Sequence, residues 1–340
     1  MRHQLTTLVL GEVSKALRGE AFLTQSLKKA PHYFQASVPH QLILGEEKAV
    51  IDGKEIVFQL RGYPPDIFLV KAKIEVENVF TEKMLDLEDE IYAKSYEILK
   101  KKGGGDEFSE VYSVFRVSDY KGDPEEFLKH NNKIIGSLLK SERLELDPKE
   151  IEYTINAQIK YAKNDLAIID WDGAFLFDPE GDFDATVELI TIANLQLLRH
   201  RVLDRQLDER LERTAKLVKK PEKKFFLFNN KELAENLREV IKNRMTSLSE
   251  FQALERDIKL IGDWYSARFY DLMSKKFKLE EWRKTIKDKL ESLEDIYTIV
   301  IENFTVSGKE RAEWIQIVGF FILQIGWLAL IVLEFFYFTR

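Results

Sequence analysis

The sequence predicts an α+β protein, with an N-terminal mixed α/β domain, a long-helix hairpin or bundle after it, and one C-terminal transmembrane helix. Three observations carry that expectation. Over residues 1–180, β-rich runs alternate with turn residues and with two helical patterns. From about Asp184 those runs vanish, and apolar residues recur at three- and four-residue steps. At the end, Trp314 to Phe338 contains no Lys, Arg or Asp.

In the first domain, "TTLVLGEV", "HQLILGE", "AVIDGKEIVFQL", "DIFLVKAKIEV" and "VYSVFRVSDY" read as strands. Asp52-Gly53 is a hairpin signal, because both residue types tolerate the left-handed backbone of a tight turn. Met84, Leu87, Ile91 and Ile98 are spaced to give a helix near Glu82–Lys102 one apolar face. A second helix near Asp123–Leu139 opens on Asp-Pro-Glu-Glu, a start signal. "EIEYTINAQIKYA", "LAIID" and "AFLFD" then read as strands, with Asp172-Gly173 turning the last pair.

Residues 181–308 read as a helical stalk. A first helix from about Asp184 to Lys219 carries Leu195, Leu198, Val202, Leu203, Leu207 and Leu211, and "KKPEKKFFLFNN" breaks it. A second runs from about Glu232 to Met273, with Leu237, Arg244, Leu248, Phe251, Ile258, Ile261, Tyr265 and Leu272 roughly on one stripe. A third begins near Leu279 with Trp282, Ile286, Leu293, Tyr297, Val300 and Phe304. These near-heptad seams predict coiled-coil packing in hairpins or a bundle. Gly308 either breaks the third helix or lies inside one long rod.

Composition narrows the function classes. A chain of 340 residues accommodates two domains, and 45% apolar residues suffice for a sizeable core. The net charge of −7 argues against nucleic acid as a partner, since such binders present a basic face. Without cysteine there is no disulfide, thiolate metal site or thiol nucleophile. "MRHQLTTLVLGEVSKALRGE" does not read as a signal peptide, because two threonines and Glu12 interrupt its apolar run.

Residues 309–340 read as a membrane anchor. At about 1.5 Å per residue the apolar stretch covers about 37 Å, against a hydrocarbon core of about 30 Å. The expected placement is single-pass and tail-anchored in a lipid bilayer, with the N-terminal domain cytoplasmic and Lys309 and Arg311 on the positive side. On a helix, Gln316, Phe320, Gln324, Trp327, Ile331 and Glu334 fall within about 80° of arc. Gly319 and Gly326 form a small-residue strip about 60–80° to one side. Amide-bearing and small residues are what joins helices in lipid, so the stripe predicts a homo-oligomer.

Elsewhere the sequence holds few chemical signals. "DWDGAFLFDPEGDFDA" gathers Asp170, Asp172, Asp178, Glu180, Asp182 and Asp184, which could offer oxygen ligands to Mg²⁺ or Ca²⁺. The run lacks calcium-loop spacing, and its members also read as a hairpin turn, a loop and a helix cap. "KKKGGGD" (Lys100–Asp106) follows a helix and lacks the Gly-Lys-Ser/Thr ending, so it reads as a helix stop with a flexible loop rather than a phosphate cradle. The histidines His3, His32, His40, His130 and His200 show no ligand spacing, and no Gly-x-Ser-x-Gly elbow is present. No cofactor and no catalytic residue is assigned. Glu209–Arg213 and Glu212–Lys216 are favourable helix pairs on a charged face, whose basic end (Lys216–Lys224) could meet acidic lipid.

With its helical hairpin leading into "KERAEWIQIVGFFILQIGWLALIVLEFF", the last part of the chain resembles the family named for yeast proteins required for meiotic nuclear division. The resemblance rests on Ala312, Glu313, Trp314 and Ile315 at the step into the membrane and on Glu334 late in the span. It implies a membrane-anchored, oligomeric protein without enzymatic activity. The general plan is also similar to CorA-type magnesium channels, but the Gly-Met-Asn motif and a second span are missing, and the Met nearest the membrane is Met273. The leading expectation is a membrane-tethered scaffold or adaptor binding an unidentified protein. The alternatives are a cation pore from a ring of single spans and a metal-dependent enzyme at Asp170–Asp184.

Overall fold

Two faces of one strand set the architecture. In the computed structural model of the chain, β1 (Arg2–Val13) is buried along nearly its whole length. Leu5, Val9 and Val13 enter one core, and Leu8 and Leu10 enter another. A strand apolar on both sides needs cover on both. The structure describes residues 1–14, 17, 19–21, 41–219, 235, 238, 241, 242, 244–252 and 264–338.

The remaining described strands are β2 (Glu20–Ala21), β3 (Leu42–Ile51), β4 (Lys54–Tyr63), β5 (Ile67–Val76), β6 (Gly104–Ser118), β7 (Gln158–Ile159), β8 (Leu166–Ile169) and β9 (Gly173–Phe177). They form one mixed sheet in the order β2-β3-β4-β5-β1-β6-β9-β8-β7. β1 pairs antiparallel with β5 and β6, while β6 and β9 run parallel. Asp52 and Gly53 take φ of 47° and 71°, the left-handed pair that closes the β3–β4 hairpin.

One side of the sheet is covered by α1 (Lys83–Lys101) and α2 (Glu125–Leu139), with α3 (Pro148–Ile155) against α2. That core holds an aromatic cluster in which Phe175 stacks on Phe115 at 4.7 Å, with Phe80 and Phe177 alongside. The other side is covered by α4 (Asp184–Lys219) and α5 (Trp264–Lys276), through Val187, Ile190, Leu198, Phe269 and Met273. Met1–Gln206 and Glu250–Ile286 form one compact unit.

Leu207–Ser249 and Lys287–Arg340 form a second unit. It contains the end of α4, the helical residues 244–249 and most of α6 (Leu279–Phe338). Within it Arg210 donates to Ser247 Oγ at 2.6 Å, Lys289 pairs with Asp208 at 2.7 Å, and Arg244 pairs with Glu294 at 2.6 Å while lying over the Tyr297 ring. α6 is one helix of 60 residues that continues through Gly308. Its stretch Ala312–Phe335 is long and apolar enough to cross a membrane.

The expected fold class is therefore the observed one, with two local corrections. "EIEYTINAQIKYA" is not a strand: residues Pro148–Ile155 are helical and only Gln158–Ile159 pairs in the sheet. Asp147 Oδ1 accepts from the Lys149 amide at 2.8 Å and Pro148 presets the first helical φ, so the cap outweighs the β-branched residues. "KKKGGGD" does stop α1, at Gly103 with φ of 90°, but its next glycine opens β6 instead of a loop. The break at 221–230, the helix stretch at 253–263, and His32 and His40 lie outside the described residues.

Replacing Phe175 by Ala removes a fully buried ring from the aromatic cluster. The expected loss is about 3–5 kcal/mol in denaturant unfolding of the full chain, against about 0.5 kcal/mol or less for Val50→Thr on the exposed face of β3.

Candidate functional site

Strand alternation sends charge under α4. In β5, Val70, Ala72 and Ile74 enter the aromatic-rich core, so Lys71, Lys73 and Glu75 face the other way. In β6, Phe115 and Val117 enter that core, which turns Arg116 toward α4. Arg61 in β4, beside the inward-facing Leu60, does the same. The α4 side of the sheet thus gathers Arg61, Lys71, Lys73 and Arg116.

Arg61 is paired within this face. Its Nη1 donates to Glu188 Oε2 at 3.0 Å and to Gln41 Oε1 at 3.2 Å, and Gln41 Nε2 donates to Glu188 Oε1 at 2.5 Å. Both oxygens of Glu188 are thereby occupied. Lys71, Lys73 and Arg116 form no ion pair among the described residues. Arg116 is 3% exposed, lies 5.6 Å from the Phe183 ring, and has no acceptor for its Nε or Nη2. Burial pulls the Lys71 ammonium down to about 8, with Glu188 opposing and Arg61 and Arg116 adding to the shift. Burial also lowers Arg116, to about 10, against the opposing charge of Asp184.

The acidic run is spread over several settings. Asp170, 4% exposed, is gripped by Lys276 at 2.9 Å and Lys140 at 3.1 Å, and Lys140 also holds Glu150 at 2.8 Å. Tyr112 donates to the Asp170 and Gly173 carbonyls, which ties the β8–β9 turn to β6. Asp172 is half-buried beside Asp170, and desolvation with that neighbouring charge raises its carboxyl to about 6. Asp178 accepts from the Glu180 and Gly181 amides at 2.7 and 2.9 Å, while Glu180 is exposed. Asp178 and Asp182 line a cleft of about 690 Å³ with Tyr161, Asp165, Trp264 and Tyr265. Among the described residues no three His, Asp or Glu side chains converge to hold a metal ion.

On the opposite side of the sheet, Glu88 of α1 is 1% exposed. Its carboxyl lies beside Ser113 without a well-formed hydrogen bond, and Ser113 is engaged with Tyr92 at 2.7 Å. Burial raises Glu88 to about 8, with Asp89 and Asp172 adding to the shift. It is held as a neutral acid at pH 7.

Gln316, Gly319, Phe320, Gln324, Gly326, Trp327, Ile331 and Glu334 all lie in α6. A Cβ built on Gly319 or Gly326 meets nothing within 4 Å.

Residues 6–184, from β1 to the start of α4, match the family described as "Uncharacterized protein MJ0711, N-terminal domain". The chain belongs to that family. A curated relative, the uncharacterized protein MJ0711 of Methanocaldococcus jannaschii, is 28% identical over 302 residues, 89% of each chain. No solved structure matches the chain. The part matched to the MJ0711 N-terminal domain supplies Arg61, Lys71, Arg116 and the whole acidic run up to Asp184.

Reading the sequence alone missed the basic face, the Asp170–Lys140–Lys276 contacts and Glu88. A signal for the first was present, since "FLVKAKIEV" and "SVFRV" alternate charge against core residues. Alternation does not say that a helix covers the charged side.

Two outcomes follow. Between pH 4.5, the ordinary value for Glu, and about 8, the folded state holds a proton on Glu88 that the unfolded chain releases, so stability falls as pH rises through that window. Urea unfolding of Glu88→Gln is expected to show a flatter pH dependence there. Lys276→Met leaves buried Asp170 with one cation instead of two. The expected loss is about 1–3 kcal/mol at pH 7, read by the same measurement.

Proposed function

We propose that the protein is a membrane-tethered scaffold or adaptor that self-associates through its span and presents its α/β domain for binding. The observation that carries the reading is α6. Leu279 and Ile286 at its start are buried with the α/β domain, and the same helix ends in the apolar stretch Ala312–Phe335. Apart from half-exposed Gly319, the described side chains of that stretch are exposed in the single chain, so lipid or another copy must cover them.

The choice of another copy rests on the polar stripe. Gln316 and Gln324 fall on one side of the helix, with Gly319 and Gly326 beside them. A side-chain amide without a partner in hydrocarbon is unfavourable, and a second copy supplies the same amide in return. A bilayer-spanning placement with the α/β domain on the cytoplasmic side agrees with Lys309 and Arg311 before the span. The resemblance of Ala312–Ile315 and Glu334 to the meiotic nuclear division family supports the same anchored, oligomeric and non-enzymatic reading.

The full chain in non-ionic detergent, sized by light scattering across a concentration series, is expected to contain more than one copy per complex. Gln324→Leu should weaken that association about 3- to 30-fold, the loss of an interhelical contact of about 0.6–2 kcal/mol. A complex that is monomeric at every concentration overturns the scaffold reading. Association unchanged by Gln324→Leu and Gln316→Leu together overturns the role given to the stripe.

A further inference from the structure

We propose that the sheet face under the start of α4 binds a phosphate dianion, held by Arg116, Lys73 and Lys71 with the Thr6 hydroxyl between them. The register places these groups together. Thr6 in β1 lies opposite Lys73 in β5, Leu8 lies opposite Lys71, and Gln4 lies opposite Arg116 in β6. Thr6 shares its face with Leu8 and Leu10, so its hydroxyl points to the same side as the cations. β5 and β6 flank β1, so their side chains start two strand spacings apart, about 10 Å, a gap that long Arg and Lys side chains close from both sides.

Three facts point to a ligand here. Arg116 is buried with Nε and Nη2 bonded to nothing, and Thr6 Oγ1 is buried and equally unmet. A buried cation with no acceptor is costly, and such a group calls for a water, an ion or a ligand. Among the charges that act on these three cations, Glu188 already has Arg61 and Gln41, and Glu75 is held by Arg2 and Gln4. Asp184 is the one other carboxylate acting on the cluster among the described residues, so three positive charges face one negative charge.

An excess of two positive charges matches a phosphate monoester or inorganic phosphate, which carries about −1.5 to −2 at pH 7. The guanidinium of Arg116 supplies a planar pair of donors for two phosphate oxygens, and the lysines supply further donors. Lys73 and Gln59 are exposed, so the face is open to solvent beside the buried Arg116. The phosphate could belong to a free small molecule or to a phospholipid headgroup.

The test uses the full chain in non-ionic detergent at pH 7 and fixed ionic strength. Isothermal titration with inorganic phosphate is expected to show saturable binding that short-chain phosphatidic acid displaces if a headgroup is the natural source. Failure of phosphatidic acid to compete assigns the site to a free phosphate. Arg116→Gln and Lys73→Gln should each weaken binding about ten- to a hundredfold, the loss of one charged hydrogen bond. Without phosphate, Arg116→Gln should melt above the wild type, because it removes an uncompensated buried charge. The proposal is overturned if neither phosphate nor phosphatidic acid binds the wild type, or if both variants bind as the wild type does. It is also overturned if Arg116→Gln melts lower while the exposed Lys73→Gln variant, folded normally, keeps its affinity.

Discussion

Everything in the α/β domain leans on a strand that has no solvent face. β1 is hydrogen-bonded on both edges, to β5 and β6, and carries apolar side chains into both cores. Such a strand is stable only if separate layers cover its two sides, and the chain provides them in order. α1 and α2, early in the chain, close the aromatic side. α4 and α5, later, close the other. That second layer is distant in sequence, since α5 begins at Trp264, about 250 residues after β1 ends at Val13.

The two sides differ in how they handle charge. The aromatic side buries one carboxyl, Glu88, and keeps it as a neutral acid. The α4 side admits ions and pairs most of them: Arg61 with Glu188, Arg201 with Glu110, and Asp170 with Lys140 and Lys276. Desolvation works against each of these ions, so a pair is retained only where extra hydrogen bonds accompany it. The Gln41 bridge to Glu188 and the Tyr112 bonds around the Asp170 turn are such additions. Against that pattern Arg116, Lys71 and Lys73 stand out, since among the described residues they form no ion pair.

α6 changes character along its length. Its start is buried by aromatic and aliphatic neighbours, and its end is the apolar stretch Ala312–Phe335, interrupted on one side by Gln316, Gln324 and Glu334. A helix satisfies its own backbone hydrogen bonds, so one unbroken helix is compatible with water at one end and hydrocarbon at the other. Gly308 is tolerated inside it because a single glycine weakens a helix by only about 1 kcal/mol.

What the sequence determined by itself was everything that depends on neighbours in the chain. The hairpin at Asp52-Gly53, the start of α4 at Asp184, the face of α1 and the apolar length of Ala312–Phe335 follow from backbone preference and side-chain period, whereas the β8–β9 turn falls one residue earlier than Asp172-Gly173, since Gly173 already opens β9. Even the misread stretch 150–162 was decided locally, by the Asp147-Pro148 cap. The tertiary structure alone decided the strand order that puts β1 at the centre and β9 parallel to β6. It also decided that Lys276 meets Asp170 across 106 residues, and that α4 lies over Lys71 and Arg116. Periodicity says which residues share a face. What that face meets depends on closing the whole chain, where burial and ion pairing between distant segments outweigh any local preference.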